Sequence, residues 1–316
     1  MEHIFSALIP VFGLILIGYF FKKIRFPSHE FWPMADKLTY FILMPALLIF
    51  ELSKAKFHSD SITFIFTSLL AIFLTMIILM IFNKFSPTKN SSFTSVIQGG
   101  IRFNTYVFLA LSGSIFGNEG LVLAAIILTF AIPFINILCI SIFALYSHNN
   151  KLDFKYLIKS IIKNPLIIAC FIGGSINFLS IPIPISIENL IQILSKAALP
   201  LGLLSIGYAL VLEDIKSTKK DLVISSIAKF IILPLLIFIF GKIFGLNEIM
   251  ISILLLFALL PTAPSSFILA RQLGGDITLM TSIITVQTLT SAFFIILFLK
   301  LFTQLSHIKK SSISYV

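Results

Sequence analysis

Charge is scarce in this chain. Only 11% of its 316 residues are Asp, Glu, Lys or Arg, and 58% are hydrophobic. A soluble domain carries roughly 25% charged residues. With a mean hydropathy of +1.07, the chain cannot hide its apolar surface from water, and it reads as a polytopic membrane protein. Acidic residues are scarcest, 13 against 23 Lys plus Arg, for a net charge of +10. No basic stripe with interleaved aromatics accompanies that charge, which excludes nucleic acid as a partner; the basic residues lie mostly in short loops, where they set topology. Cysteine is nearly absent. Cys139 and Cys170 both fall inside apolar runs, as small core residues do, which argues against a disulfide or a metal pair. The five histidines share no ligand spacing, so no metal and no cofactor are expected. Also missing are the Gly-x-x-x-x-Gly-Lys-Ser/Thr, His-Glu-x-x-His and Gly-x-Ser-x-Gly patterns. Their absence leaves ATP hydrolysis, zinc proteolysis and serine hydrolysis without residues to carry them. The chain is not read as an enzyme.

Long apolar runs are abundant. A bilayer span needs about 17–25 mostly apolar residues. That length predicts ten spans, near 4–21, 36–52, 62–82, 92–116, 120–146, 157–179, 188–211, 222–241, 249–270 and 277–303. The first run is followed by Lys22, Lys23 and Arg25; charges after the run and no small-x-small site argue for a retained helix over a signal peptide. One set of loops holds twelve basic residues, among them Lys84, Lys89, Lys151 and Lys220; the other holds five, Lys54, Lys56, Lys242, Lys309 and Lys310. The positive-inside rule then places both termini on the non-cytoplasmic side of the plasma (inner) membrane.

An internal repeat is present. Pro10, Gly18, Pro27 and Pro45 recur as Pro165, Gly173, Pro182 and Pro200, each 155 residues later. The expected division is a first five-span repeat over 1–146, a short cytoplasmic linker over 147–156 and a second repeat over 157–316. An odd number of spans turns the second copy upside down, the plan of secondary transporters.

The fourth span carries Gln98, Gly99, Gly100, Arg102 and Asn104 inside an apolar run. An ionisable residue at a helix centre costs at least about 2.5–3.5 kcal/mol in a bilayer and normally faces a polar cavity. The register of the repeat maps Asn104 onto position 259, beside Pro261-Thr262-Ala263-Pro264-Ser265-Ser266. Paired interruptions of this kind mark transporter binding sites, so non-helical backbone is expected near Gly99–Asn104 and Pro261–Ser265. Half-helix N-termini there would favour anions. Arg102 can grip a carboxylate with both arms of its fork. Gln98, Gly100, Asn104, Pro261, Pro264, Ser265 and Ser266 complete the candidate substrate site. Competing roles are snorkelling or a structural ion pair for Arg102, and an interhelical hydrogen bond for Asn104. Weaker candidates within spans are Glu51, a proton-coupling group, and Lys196, Ser205, Tyr208 and Gln287. Asp36 and Lys37, close to a span end, read as interfacial.

Gln98-Gly99-Gly100-Ile101-Arg102-Phe103-Asn104 and Gly117-Asn118-Glu119-Gly120 resemble the fourth-helix region of the auxin efflux carrier family. Leu43-Met44-Pro45-Ala46-Leu47-Leu48-Ile49-Phe50, Leu199-Pro200-Leu201-Gly202-Leu203-Leu204-Ser205-Ile206-Gly207 and Leu260-Pro261-Thr262-Ala263-Pro264-Ser265-Ser266 resemble its second, seventh and ninth helices. The resemblance spans the whole chain and is to the short bacterial type, without the long central loop of many plant members. It implies an all-α fold of ten helices in two inverted five-helix repeats, with broken helices four and nine crossing at the substrate. It also implies elevator-like transport of a small organic anion, a carboxylate such as malate, malonate or auxin. Plant relatives have a proline at the helix-four break; this chain has none there. The expected partners are the anion, a coupled proton or sodium ion, the lipid bilayer and a second copy in a homodimer. Alternative readings are a sodium-coupled symporter of the bile-acid type, a neutral amino-acid carrier, and a membrane-embedded enzyme or sensor.

Overall fold

The computed structural model describes residues 2–54, 61–146, 162–211 and 219–313. Among them there are helices and no strands. Eleven helical stretches follow in order: α1 Glu2–Ile24, α2 Phe31–Ser53, α3 Ser61–Phe85, α4 Asn90–Ile101, α5 Thr105–Tyr146, α6 Pro165–Phe178, α7 Ile185–Ala209, α8 Lys219–Ile243, α9 Glu248–Leu259, α10 Ser265–Leu273 and α11 Ile277–Ile313. Seven stretches are long and apolar enough to cross a membrane; one of them joins α4 and α5 over Asn90–Tyr146. Large apolar side chains point outward, Phe171 at 74% exposure and Phe178 at 85%, as suits a surface that meets lipid rather than water.

Local chemistry sets the helix ends. Asn164 caps α6, its side chain accepting from the backbone of Leu166 at 2.9 Å and Ile167 at 3.3 Å, and Pro165 follows at the first helical position, where its missing N–H costs nothing. Asn247 caps α9 in the same way, accepting from Met250 at 2.8 Å. Gly117 kinks α5 with φ 63° and ψ −151°, a conformation that a Cβ disfavours. Two π-helical turns, Thr39–Leu43 in α2 and Ala228–Ile232 in α8, each run up to a proline, Pro45 and Pro234. Proline cannot donate to the turn before it, and the wider turn takes up the missing bond.

The helices pack as two groups. Helices α1, α2, α6 and α7 lie chiefly against one another, and α3, α4, α5, α8, α9, α10 and α11 against one another. Close backbone approach holds the first group together. A Cβ on Gly18 of α1 would strike the carbonyl of Leu204 in α7, and one on Gly207 of α7 would strike that of Ile15 in α1. Gly173 of α6 leaves the same kind of room for Ile49 of α2. Cys139 and Cys170 are free, buried thiols, as their apolar surroundings in sequence suggest.

Candidate functional site

Both interruptions are present. Helix α4 ends at Ile101, Arg102 is extended at φ −77° and ψ 156°, and α5 starts at Thr105. Helix α9 ends at Leu259, Leu260 is extended at φ −75° and ψ 148°, and α10 starts at Ser265. The second break follows from proline sterics, because residues that precede proline are pushed out of the helical region; Leu260 precedes Pro261 and Ala263 precedes Pro264. The first break has no proline. Asn104 makes it instead, its Oδ1 accepting from the backbone of Tyr106 at 3.1 Å and Val107 at 3.3 Å as the N-cap of α5. With α4 and α9 both 12 residues long, each break lies about 18 Å along its helix, roughly halfway through a hydrocarbon layer of about 30 Å.

Glycine does not make the first break, contrary to the expectation from Gly99 and Gly100. Both stay helical in α4. They are small because neighbours press on them: a Cβ at Gly99 would run into Ser225 and Ile283, and one at Gly100 would meet Leu79 at 2.8 Å. Likewise Ser265 is not in the irregular segment; it opens α10.

The two breaks touch. The backbone N–H of Asn104 donates to the carbonyl of Pro261 at 2.8 Å. Behind that contact, Gln287 of α11 staples them: its Oε1 accepts from the backbone of Thr262 at 3.0 Å, its Nε2 donates to the carbonyl of Gly99 at 3.0 Å, and the Thr262 hydroxyl lies 2.9 Å from the same carbonyl. A fully buried amide that satisfies two broken helices at once explains why the interruptions survive in an apolar interior, where unpaired backbone groups are costly.

In front of the breaks lies a cavity of about 530 Å³, between the two helix groups. One wall comes from α2 and α7, with Asp36, Lys37, Tyr40 and Ser205; the other comes from the breaks and α5, with Arg102, Asn104, Tyr106, Asn136 and Ser265. Arg102 spans the junction. One arm of its guanidinium donates to Asn136 Oδ1 and the other to Ser265 Oγ, both at 3.2 Å, and Nε is buried with no partner. Neither acceptor carries charge, so its cation is uncompensated by direct contact. Opposite, Tyr106 donates to Asp36 Oδ1 at 3.4 Å. The lining therefore holds two cations, Arg102 and Lys37, and one carboxylate, Asp36. The N-terminal ends of α5 and α10 also reach this space through Thr105 and Ser265, adding the positive ends of two helix dipoles.

The profile of the "Membrane transport protein" family matches residues 3–299. The chain belongs to that family. A protein of Rhizobium meliloti (strain 1021) bearing the name "Putative malonate transporter" is 24% identical, over 94% of this chain and 97% of its own length. An "Uncharacterized transporter" of Methanocaldococcus jannaschii is also 24% identical, over 87% of this chain and 91% of its own. A third, from Methanothermobacter thermautotrophicus, is 22% identical over 90% and 94%. Membership makes the chain a multi-pass membrane transporter and not an enzyme. It agrees with the auxin efflux carrier resemblance carried by the quoted motifs.

Within this family member, the residues singled out by sequence are distributed unequally. Arg102, Asn104, Pro264, Ser265 and Ser205 line the cavity. Pro261 serves the crossing through its carbonyl. Ser266 is buried with its hydroxyl unpartnered, and Gln98 is buried with both ends of its amide unpartnered; neither lines the cavity. Gly100 packs and Gln287 staples. Glu51 is half-buried and Lys196 exposed, both away from the cavity. Tyr208 bonds His29 Nδ1 at 2.7 Å and stacks on Trp32 with ring centroids 4.9 Å apart, also outside the lining. Sequence reasoning missed Tyr40, Tyr106, Asn136 and Asn164 as lining residues and read Asp36 and Lys37 as merely interfacial. The two asparagines carried a usable signal: Asn136 is a polar side chain inside a long apolar run, and Asn164 directly precedes Pro165 at the start of another.

Proposed function

We propose that the chain is a secondary transporter for a small organic anion bearing a carboxylate, of the size of malonate. The observation that carries this is Arg102: a cation at the crossing of two broken helices, held by neutral partners, facing a cavity into which two helix N-termini also point. A carboxylate in the fork of Arg102 meets a charge that nothing else in direct contact neutralises. The malonate in the name of the Rhizobium relative fits the same chemistry. The alternatives, a sodium-coupled bile-acid-type symporter and a neutral amino-acid carrier, are separated from this reading by the titration below.

The same reading takes the fold as ten spans in two inverted five-span repeats, 1–146 and 157–316. Treating Asn90–Tyr146 as two spans bent at Gly117, and adding α6 and the broken α9–α10 pair, brings the helices to ten. Gly18 packs on Leu204, and Gly173 packs on Ile49; both members of the first pair lie 155 residues from their counterparts in the second, the offset of the sequence repeat. Transport then moves the group containing the breaks past the α1, α2, α6 and α7 group, carrying the anion in the cavity between them. With the loop after α1 in the cytoplasm and both termini outside, the exposed Asp36 and Lys37 near the start of α2 lie on the cytoplasmic side.

A thermal-shift titration of purified protein with mono- and dicarboxylates tests the substrate class. A ligand that binds the native state adds about 2.7 kcal/mol of apparent stability at one hundred times its Kd. A carboxylate that raises the melting temperature in a saturable way supports the reading. A panel in which amino acids or bile acids shift it and simple mono- and dicarboxylates such as malonate do not overturns it.

A further inference from the structure

Lys229 takes no part in the site described above. It lies in the π-helical turn of α8, its side chain is 0% exposed, and its ammonium nitrogen has no hydrogen-bond partner. Its contact is with a ring: Nζ stands 5.7 Å from the centroid of Phe257 in α9. Phe257 packs on Phe103 with centroids 4.5 Å apart, and Phe103 sits between Arg102 and Asn104 in the first break. The two rings, tilted at 58° to one another, link the amine to the first break, a path on the order of 10 Å when the two steps are joined. The neighbouring turn of α8 touches the crossing directly, since Ser225 lies 3.5 Å from Gln287 Nε2.

Besides the rest of α8, this turn packs against α3, α4 and α9, and through Phe230 stacked on Phe294 against α11, which has no titratable residue between Ile277 and Phe298. Helix α4 has no titratable residue, α9 has only Glu248 at its far end, and α3 has only Lys84 near its C-terminus. On α8 itself the charged groups are Lys219, Lys220 and Asp221, two turns or more before Lys229, and Lys242, three turns beyond it. None bonds to the Lys229 nitrogen. Removing a cation from water into such surroundings is costly unless an opposite charge arrives. The cavity is where an opposite charge would arrive.

We infer that Lys229 binds the proton that accompanies the anion. The amine takes one proton from water as the anion enters and returns it as the anion leaves; no bond of the anion is made or broken. The π-turn, a feature that often marks functional positions in helices, places this lysine next to the crossing. At that separation and an effective dielectric constant near 20, the two charges favour each other by on the order of ten-fold in affinity. The inference rests on the anion reading above.

The test is calorimetric titration of the purified full chain with malonate, above neutral pH where malonate is a dianion, in two buffers of different protonation enthalpy. Wild-type protein should take up protons on binding and lose affinity on the order of ten-fold as pH rises. Lys229→Gln and Lys229→Met should bind with no proton uptake and with pH-independent affinity, and Lys229→Arg, permanently charged, should bind tightly without uptake. Asp36→Asn should keep the uptake. Wild-type binding without protons, undiminished uptake in either Lys229 variant, or loss of uptake in Asp36→Asn overturns the assignment. If neither neutral Lys229 variant folds, the proton counts of wild type and Asp36→Asn decide. If malonate does not bind wild type at all, the substrate reading fails first. Lys229 is then judged from acid–base titration of ligand-free wild type against Lys229→Arg: one extra ionisation in wild type within the pH range of the binding measurements sustains it, and its absence from that range sinks it.

Discussion

Replacing Arg102 by alanine should weaken carboxylate binding at least about 30-fold. Removing one partner of a buried, charged hydrogen bond costs about 2–5 kcal/mol, and about 2 kcal/mol already corresponds to that ratio. The guanidinium also donates to Asn136 and Ser265. Alanine strips both acceptors of a donor, which costs about 1–3 kcal/mol of stability where the group stays buried. Affinity must therefore be read on folded protein, by calorimetry with malonate after the melting temperature of each variant is known. Arg102→Lys keeps the charge and loses the planar fork, so it should fall between wild type and alanine. Asn104→Ser is the control. Serine keeps an oxygen to cap α5 but removes Nδ2, which is buried without a partner in the ligand-free protein; its loss should cost about 0.5–1.5 kcal/mol. If Arg102→Ala binds malonate like wild type while Asn104→Ser does not, the arginine is structural and the asparagine is the anion contact.

Three further outcomes follow from the packing and the charge pattern. Gln287→Leu leaves the Thr262 N–H without its acceptor and the Gly99 carbonyl with only the Thr262 hydroxyl and should cost about 1–3 kcal/mol for the N–H left unpaired; a melting temperature equal to wild type would show that the staple is dispensable. Gly207→Ala drives a methyl into the Ile15 carbonyl and should destabilise by about 1–3 kcal/mol or more, while Gly174→Ala, at a half-buried position with open space for a Cβ, should be close to neutral. For topology, a cysteine at Ser314 should react with an impermeant thiol reagent in intact cells and one at Asn150 should not, with little background because both native thiols are buried; labelling at Asn150 alone reverses the orientation.

Much of the architecture was legible because a bilayer simplifies the code. Apolar runs of span length, charges confined to their flanks and prolines inside apolar segments all report directly on helices and their interruptions. The second break, at Pro261 and Pro264, could be read residue by residue, since proline acts through its own covalent geometry. The first could be placed only to within a few residues. Gly99 and Gly100 looked like its cause, yet they answer to Ser225 and Leu79 from other helices, and a contact made across the fold leaves no local trace. Asn104 was recognised as polar and central, but its work as the cap of α5 depended on where the helix restarted.

By itself, then, the sequence determined that this is a helical membrane protein with two interrupted spans and an arginine inside one of them, because hydropathy, helix propensity and proline sterics act over a few neighbouring residues. Only the tertiary structure decided what the arginine faces. It brought Asn136 and Ser265 to the two arms of Arg102 and set Asp36 and Lys37 from α2 across the cavity. It also turned Gln98 and Gln287 away from that space and left Lys229 alone behind two aromatic rings. Those outcomes depend on how helices far apart in the chain rotate against one another, and a polar residue in an apolar run says only that it must face something other than lipid.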